Sequence, residues 1–398
     1  MRLLVISNLF PPHVLGGYEI VCAQVCEELA RRGHRITVLT SDHGVTGQER
    51  DDPYPVHRRL QIYQPFGETG RLLRGRRLQV GRRSHRITRE LIASERPEQI
   101  FVWSLLRLTL GPARAALESS IPTAFTFNDE NIAGYLPVPF APTPRRLLGW
   151  LADRVAIPQI TLRGLQLSRS TCISAQLKSK LVAAGVPVDS SRVIYQGIPI
   201  ERFPLKSPRP FSRPAKVLFT GQLVPMKGIP TLIEAAHRIA RDEPQAIELA
   251  IAGAGYLEPQ LRAQAADGPA SIRFLGKVPH EQMPALYREH DLFAFPSTGA
   301  EPFGLTYLEA MASGLPVVST ATGGHGEVVR DGENALVFAP GDAEKLASNI
   351  LRIIREPLLA ARLAETARAQ VEREFTVDRY VTQLEEFLQG RPPPGPQR

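Results

Sequence analysis

The sequence is short of cysteine and of long apolar runs, and each shortage excludes a class of protein. Its three cysteines, Cys22, Cys26 and Cys172, are too few for a disulfide framework or a structural zinc site. Every apolar run is far shorter than the about 20 residues that cross a bilayer. The N-terminal MRLLVISNLFPP has too short an apolar stretch for a signal peptide and lacks a small-residue cleavage site. We therefore expect a cytosolic protein with buried, reduced thiols.

Lysine and closely spaced aspartates are also scarce. Only seven of the 398 residues are lysine, although arginine is abundant. No Asp-x-Asp sequence occurs anywhere in the chain, so the sequence offers no acidic pair of that spacing to hold a metal ion. We expect no metal site.

Length and composition indicate a folded protein of two domains. Domains commonly contain about 100–200 residues, and this chain has 398. Hydrophobic residues make up 43% and charged residues 22%, which is an ordinary balance for a globular protein. This balance excludes a wholly disordered, collagen-like or coiled-coil chain.

Positive charge is concentrated in the first half of the chain. The net charge is +8, of which residues 1–207 carry +11 and residues 208–398 carry −3. The densest segment, from Arg71 to Arg86, contains seven arginines and no acid. A basic surface attracts anions such as phospholipid headgroups, a phosphate-linked ligand or nucleic acid. A solvated helix face is the alternative.

The arginine-rich segment is a candidate contact for an anionic ligand or for the inner face of a membrane. No nucleic-acid motif accompanies it, so we expect no nucleic-acid partner. The candidate side chains are Arg74, Arg76, Arg77, Arg82 and Arg83.

Short β-branched runs alternate with helical patterns in the first half of the chain. The predicted strand Leu3–Ser7, the helix Tyr18–Arg32 and the strand Ile36–Thr40 form one βαβ unit, which requires parallel strands. Further strands are predicted at Gln99–Ser104, Thr123–Asn128, Ser170–Ser174 and Arg192–Gln196.

A proline-rich stretch, Ile198–Ala215, precedes a second α/β series and is the predicted linker. We expect domains at 1–207 and 208–375, a helix at 376–389 that packs back on the first domain, and a disordered tail at 390–398. In parallel sheets, ligands bind outside the carboxyl ends of the strands. Strands of the second series are predicted at Lys216–Thr220, Ile247–Ala252, Ile272–Gly276, Leu292–Phe295, Pro316–Ser319 and Leu336–Phe338.

Two loops offer positions for an anionic ligand. Gly16 and Gly17 directly precede a helix, where glycine allows close approach of the backbone and the first-turn N–H groups are unpaired. Lys227 follows a strand that ends at Gly221 and precedes Gly228, so it is placed to supply a point charge to a phosphate. An ordinary turn and a solvated lysine are the alternatives.

The segment PSTGAEPFGLTYLEAMASGLPVVST carries the strongest signal. Glu301 lies in a loop before a predicted helix that contains Glu309 and ends at Gly314. The N–H groups of the first turn can receive a diphosphate, while the two glutamates can accept hydrogen bonds from hydroxyls on either side of it. A sugar–diphosphate–ribose ligand has this arrangement of groups. The alternative is a helix with a first-turn glutamate and a surface glutamate.

Together these segments resemble the retaining glycosyltransferases of the GT-B fold, family 4 (group 1) type. The resemblance covers most of the chain and includes residues 29–41, 251–255, 274–297 and 323–338. Its most specific part is the pair Glu301 and Glu309, separated by seven residues. The resemblance implies an α/β protein with two doubly wound parallel-sheet, Rossmann-like domains that face a central cleft. The first domain would bind the acceptor and the second the nucleotide sugar.

The resemblance also implies roles for individual residues. Glu301 would contact hydroxyls of the donor sugar, Glu309 would hold the ribose hydroxyls, and Lys227 would neutralise the diphosphate. Gln222 stands where an arginine is usual, and Asn128 stands where many members have a histidine. We expect Glu301, Lys227 and Asn128 to be the catalytic set. The other expected donor contacts are Gly16, Gly17, Gly221 and Gln222, the main chain near Lys277 and Val278, and the amides of Phe303, Gly304, Leu305 and Thr306.

The implied activity is transfer of a hexose-type sugar from a nucleotide diphosphate sugar, with retention and without a metal. No cofactor is expected, because the nucleotide sugar is a co-substrate. The acceptor is open and includes a glycan, a lipid or a lipid-linked carrier. A nucleotide-sugar-binding protein of lapsed activity, and another GT-B activity such as an epimerase or a phosphorylase, are the alternatives.

Overall fold

The computed structural model describes residues 1–44, 52–64, 74–137, 150–151, 160–206, 211–299 and 301–391. The chain divides into two compact units. The first contains Met1–Ile194 and the residues from Val381 onward, and the second is Tyr195–Tyr380.

The first unit is built on a parallel sheet of seven strands in the order β3-β2-β1-β4-β5-β6-β7. Strand β1 lies between β2 and β4, with Leu4 opposite Thr37 on one side and Ile100 on the other. Because all neighbouring pairs are parallel, the carboxyl ends of all seven strands share one edge. The strands are β1 (Arg2–Ile6), β2 (Arg35–Ser41), β3 (Val56–Leu60), β4 (Gln99–Val102), β5 (Thr123–Phe127), β6 (Ser170–Cys172) and β7 (Arg192–Val193).

The helices of the first unit cover this sheet with their apolar faces. In the first helix, Val21, Val25 and Leu29 recur every four residues and are all buried. The helices are α1 (Gly17–Arg31), α2 (Arg74–Glu95), α3 (Gly111–Glu118) and α4 (Ala175–Ala183).

The second unit is built on a parallel sheet of six strands in the order β10-β9-β8-β11-β12-β13. The chain moves outward from β8 to β10 and then returns to the other side of β8, so the topological switch point lies between β8 and β11. The strands are β8 (Ala215–Thr220), β9 (Ile247–Ala252), β10 (Ser271–Gly276), β11 (Leu292–Phe295), β12 (Val317–Ser319) and β13 (Leu336–Val337).

Helices pack on the second sheet around a core that includes Val217, Leu249, Ile233 and Ile350. The helices are α5 (Ile229–Asp242), α6 (Glu258–Ala266), α7 (Met283–Glu289), α8 (Thr306–Ala312), α9 (Ala343–Arg355), α10 (Pro357–Glu374) and α11 (Val377–Leu388). The boundary between the two units falls within α11.

The expectation of two doubly wound parallel sheets is confirmed. The sequence analysis missed the edge strand β3, whose sequence VHRRL is mostly polar and only partly buried. The three cysteines are free and buried, as predicted. Across the ranges given above, no helix has both the length and the apolarity to cross a membrane.

The described residues cover the predicted linker and the predicted C-terminal tail only in part. Lys206, in the predicted linker, bonds through Nζ to Asp291 at 3.3 Å, and residues 207–210 lie outside the described residues. Past α11, the Arg391 N–H donates to the Glu386 carbonyl at 2.9 Å. The remainder of the predicted tail, 392–398, lies outside the described residues, and the domain boundaries stay a prediction.

Candidate active site

The loop after β8 is held against the loop after β11 by a glycine. Lys227 ends a short 3₁₀ turn, and Gly228 follows it with φ of +67°, a conformation that favours glycine. A Cβ atom on Gly228 would lie 1.8 Å from the carbonyl oxygen of Pro296. This close approach brings Lys227 beside the loop that contains Glu301.

Lys227 and Glu301 form an ion pair in the second unit. The Lys227 Nζ lies 2.5 Å from each carboxylate oxygen of Glu301, and the Ser297 hydroxyl donates to Glu301 Oε2 at 3.2 Å. The side chains of Lys227 and Glu301 are only 16% and 12% exposed. The Glu301 backbone is also fixed, because the Gly324 N–H donates to its carbonyl oxygen at 2.8 Å. Each charge is therefore neutralised by the other.

The predicted diphosphate donors lie directly after Glu301, at the start of α8. Gly304 has φ of +81°, and the buried ring of Phe303 stacks on Tyr195 at 5.6 Å between centroids. The N-cap residue Leu305 provides no side-chain cap, so the first-turn N–H groups, including that of Thr306, do not donate to a capping side chain. The positive end of α8 therefore lies next to the ion pair.

Glu309 is buried in the first turns of α8 and is bound by a tyrosine. The Tyr287 hydroxyl lies 2.9 Å from Glu309 Oε2, 3.1 Å from the Thr306 carbonyl oxygen and 3.3 Å from Thr220 Oγ1. Burial raises the pKa of Glu309 to about 7, although the Tyr287 hydrogen bond and the charge of Arg202 oppose the shift. Near neutral pH this carboxyl therefore exists in both protonation states.

Backbone hydrogen bonds tie together the loops that follow β8, β9 and β10. The Gly253 N–H donates to the Gly276 carbonyl at 2.7 Å, and the Leu223 N–H donates to the Ala254 carbonyl at 3.0 Å. A Cβ on Gly253 would lie 1.8 Å from the Gly221 carbonyl oxygen, so these loops are closely packed. Gln222 and Lys277 are exposed at this edge, and Val278 is partly buried.

In the first unit, the predicted amide of Gly16 is already bonded. The Gly16 N–H donates to Glu19 Oε2 at 2.9 Å, and α1 begins at Gly17. Glu19 is fully buried, and burial raises its pKa to about 7. This differs from the expectation of a free Gly16 amide, because Glu19 in the third helical position caps the helix.

Asn128 is buried at the carboxyl end of β5. Its Nδ2 donates to the Trp103 carbonyl at 3.0 Å, and the Trp103 indole donates to the Tyr18 carbonyl at 3.1 Å. The side chain also lines a cavity of about 30 Å³ with Ser104 and Asp129. Asn128 thus fixes the loops that follow β4 and β5.

The five candidate arginines have different surroundings. Arg77 is partly buried, and its guanidinium lies 5.1 Å from the Tyr63 ring centroid and 4.7 Å from that of Tyr135. It is therefore engaged inside the first unit by cation–π contacts. Arg76, Arg82 and Arg83 are exposed, and Arg74 begins α2.

Comparison with known families identifies the chain. The model described as Glycosyltransferase Family 4 matches residues 15–202, and the model described as Glycosyl transferases group 1 matches residues 203–370. The chain belongs to the group 1, family 4 glycosyltransferases. Its two parallel sheets are those of the GT-B fold.

Two curated relatives match this glycosyltransferase over about half of their length. The amylovoran biosynthesis glycosyltransferase AmsK of Erwinia amylovora is 34% identical over 54% of this chain and 55% of its own. A glycogen synthase of Mycobacterium tuberculosis is 36% identical over 46% of this chain and 44% of its own. The structure of Anabaena Alr3699/HepE in complex with UDP-glucose aligns with a TM-score of 0.72 and 23% identity, covering 98% of this chain and 100% of that one.

Three residues near the site of this glycosyltransferase escaped the sequence analysis. Ser297 and Tyr287 hydrogen-bond the two motif glutamates, but neither belongs to the motif. The third is His325, whose buried Nε2 donates to the Thr320 carbonyl at 3.0 Å and whose Nδ1 has no partner within the described ranges. Burial lowers the pKa of His325 to about 4, so its imidazole is neutral at physiological pH. The only signal for His325 in the sequence is its position between Gly324 and Gly326, two residues before Glu327.

The described residues contain no group of three or more histidine, cysteine, aspartate or glutamate side chains placed to hold a metal ion.

Proposed function

We propose that this glycosyltransferase moves a hexose-type sugar from a nucleoside diphosphate sugar to an acceptor, with retention of the anomeric configuration. The observation that supports this most is the position of Lys227 and Glu301 at the switch point of the second sheet. Lys227 follows β8, Glu301 follows β11, and the two strands are neighbours. Ligands of open parallel sheets bind at such a point, and here a cation, a carboxylate and a helix N-terminus are adjacent.

Donor binding would separate Lys227 from Glu301 and give each of them a new partner on the donor. The diphosphate attracts Lys227 Nζ away from Glu301, and the uncapped first turn of α8 supplies further N–H donors. Glu301, once released, accepts hydrogen bonds from the sugar hydroxyls. Glu309 accepts from the ribose, and the nucleobase lies at the edge formed by Lys277 and Val278.

The reaction would need no protein nucleophile. The bond between the anomeric carbon and the diphosphate oxygen breaks as the acceptor oxygen bonds to the same face of that carbon. The acceptor proton passes to the departing phosphate oxygen. Lys227 and the α8 N-terminus stabilise the negative charge of the leaving group, so that no metal or cofactor takes part.

The acceptor is proposed to be a glycan, a lipid or a lipid-linked carrier bound by the first domain. The exposed arginine Arg82 and its neighbours on α2 would bring the protein to an anionic membrane surface. Co-sedimentation with phosphatidylglycerol vesicles tests this contact, and equal sedimentation of the wild type and Arg82→Gln would contradict it.

A panel of UDP-, GDP- and ADP-sugars tests the main proposal. A donor that binds the native state raises the unfolding temperature, and turnover releases the nucleoside diphosphate in the presence of a suitable acceptor. Binding without release, even with a wide range of acceptors, would favour a lapsed enzyme, for which the substitution of Gln222 for the usual arginine is the supporting observation. Release without sugar transfer, or change of the sugar itself, would indicate another GT-B activity.

A further inference from the structure

A second cavity lies in the first unit, where β2 and β3 end. It has a volume of about 360 Å³, within the range of small-ligand sites. Asp42 directly follows β2, and Gln61 directly follows β3. Because the sheet is parallel, this cavity opens at the same edge as the loop that carries Gly16 and Gly17. Its lining includes Asp42, Gln61, Ile62, Arg76, Val80 and Arg83.

Of the arginines described on α2, Arg76 and Arg83 line the cavity. Arg76 and Arg83 are seven residues apart, which places them on one face of the helix after about two turns. Neither has an ion-pair partner among the residues that the structure describes. Other arginines nearby are engaged, since Arg77 stacks on two tyrosines and Arg86 lies 3.9 Å from Glu90.

The lining combines cationic groups with hydroxyl-binding groups. Two arginines, Arg76 and Arg83, line the cavity together with a single acid, Asp42, so the cavity favours an anion. A guanidinium binds phosphate through two parallel hydrogen bonds. The Asp42 carboxylate and the Gln61 amide are suited to hydroxyl groups, which both donate and accept. The apolar floor is formed by the buried side chains of Ile62 and Val80.

The cavity is also linked to the glycine loop. A Cβ on Gly44, two residues after Asp42, would lie 3.1 Å from Nδ1 of His13, so the loop after β2 packs against the segment that leads to Gly16. Arg58 donates to the Phe10 carbonyl at 3.1 Å and thereby holds the same segment. A ligand in the cavity therefore lies beside the loop where the resemblance places the donor phosphates.

We propose that this cavity binds a phosphate ester of a polyol or sugar, and that this phosphate ester is the acceptor or its headgroup. The assignment of the bound group as acceptor rests on the proposed function. The assignment of the cavity as a phosphate site rests on Arg76 and Arg83 alone. The phosphate binds between the two guanidinium groups, and the hydroxyls bind to Asp42 and Gln61.

Calorimetric titration of the full chain tests the phosphate site. The probes are sn-glycerol 3-phosphate and myo-inositol 1-phosphate, with glycerol, myo-inositol and sulfate as controls. We expect the phosphate esters to bind more tightly than the uncharged polyols and than sulfate. Arg76→Gln and Arg83→Gln should each weaken the binding of the esters about tenfold, because each removes a charge-assisted hydrogen bond.

The matched control is Arg89→Gln, an exposed arginine on α2 that does not line the cavity. It should leave the affinity for the phosphate esters within about twofold, because the attraction from an exposed charge outside the cavity is largely screened by salt. Equal losses in all three variants would overturn the proposal in favour of general electrostatic attraction. Arg83→Lys should recover part of the affinity, since it restores the charge without the planar fork.

Two further measurements complete the test. The first distinguishes a lipid headgroup from a free phosphate ester, and the second distinguishes a failure of the cavity proposal from a failure of the proposed function. Vesicles of phosphatidylinositol in phosphatidylcholine, compared with soluble inositol 1-phosphate, show whether a lipid headgroup or a free phosphate ester binds more tightly. Donor binding is measured on the same samples with UDP-, GDP- and ADP-sugars. Donor binding with no discrimination between phosphorylated and plain polyols would overturn the cavity proposal alone. Phosphate-ester binding that depends on Arg76 and Arg83, with no donor binding, would contradict the proposed function alone.

Discussion

The Nζ atom of Lys227 lies 2.5 Å from both carboxylate oxygens of Glu301, although the two residues are 74 positions apart in the chain. The pair joins the two strands at the switch point of the second sheet. In the proposed mechanism, Lys227 binds the leaving diphosphate and Glu301 binds the hydroxyls of the sugar. Either residue without the other leaves an uncompensated, largely buried charge.

Substitution of Lys227 tests this pair directly. We expect Lys227→Ala and Glu301→Ala each to lower turnover by about 100-fold or more, because one electrostatic contact to the developing charge is worth roughly 3 kcal/mol. Steady-state release of nucleoside diphosphate measures the effect. The control is Lys345→Ala, an exposed lysine on α9. Near-normal turnover in either site variant would remove the role assigned to that residue.

The raised pKa of Glu309 predicts how stability depends on pH. The folded protein keeps a proton on Glu309 up to about pH 7, whereas an unperturbed glutamate loses it near 4.5. The contribution of Glu309 to the free energy of unfolding is therefore fully present below pH 4.5 and is lost as the pH rises to about 7, at up to about 1.4 kcal/mol per pH unit. Chemical denaturation between pH 4.5 and 8 should show a shallower slope for Glu309→Gln than for the wild type. The exposed control Glu344→Gln should keep the wild-type slope.

Tyr287 should tune the same carboxyl. Its hydrogen bond lowers the pKa of Glu309 against the effect of burial, so Tyr287→Phe should raise that pKa further. Donor affinity measured against pH should then show its midpoint at a higher pH, while the turnover number at saturating donor changes little. Tyr54→Phe is a matched control in the first unit, because the buried Tyr54 hydroxyl has no hydrogen-bond partner within the described residues. An unchanged midpoint in Tyr287→Phe would show that the hydroxyl does not act on Glu309.

Glu19 should stabilise the start of α1 through its side-chain oxygen rather than its charge. Glu19→Gln keeps an acceptor for the Gly16 N–H, whereas Glu19→Ala removes it and should cost about 1 kcal/mol of stability. Hydrogen exchange of the Gly16 amide should accelerate in the alanine variant and not in the glutamine variant. Equal exchange rates in the two variants would contradict the capping role.

Gly228 should be needed for packing as well as for its backbone conformation. Gly228→Ala would place a Cβ 1.8 Å from the Pro296 carbonyl oxygen, so the loop that carries Lys227 must shift. Gly332 has a similar φ of +70° but open space around it, so Gly332→Ala isolates the conformational cost, which is about 1–2 kcal/mol. Thermal unfolding should show a larger loss for Gly228→Ala, together with lower turnover. Similar losses in both variants would mean that the close approach to Pro296 is unimportant.

Local sequence patterns predicted the strands and helices that lie at the centre of each sheet. Strand β11 is a continuous apolar run that is buried throughout, and β9 is apolar and buried except at Glu248; the bounds of both were predicted as observed. The edge strand β3 was missed, because its arginines and histidine remain partly exposed and give no alternating pattern. Whether a strand lies at the edge of a sheet is decided by tertiary packing, so a five-residue sequence carries little information about it.

The candidate site was predictable residue by residue but not as a set of contacts. The glutamates and Lys227 were identified by their motifs, whereas the bond between Tyr287 and Glu309 depends on how α7 packs on α8. The hydrogen bond from the Gly16 amide to Glu19 was likewise not predicted, although the two residues are only three positions apart at the start of α1. Spacing in the sequence shows which groups are present, and tertiary packing decides which of them are already paired.

The buried thiols have a practical consequence for studying this protein in solution. Burial raises the pKa of Cys172 to about 11 and that of Cys22 well above its usual value, which keeps these sulfurs protonated and unreactive at neutral pH. A cysteine introduced at an exposed position such as Arg89 would therefore react with a maleimide dye far faster than the native sulfurs. A fluorophore or spin label can thus be attached to the helix that carries Arg76 and Arg83 in the otherwise unaltered chain, and ligand binding can be followed by its signal.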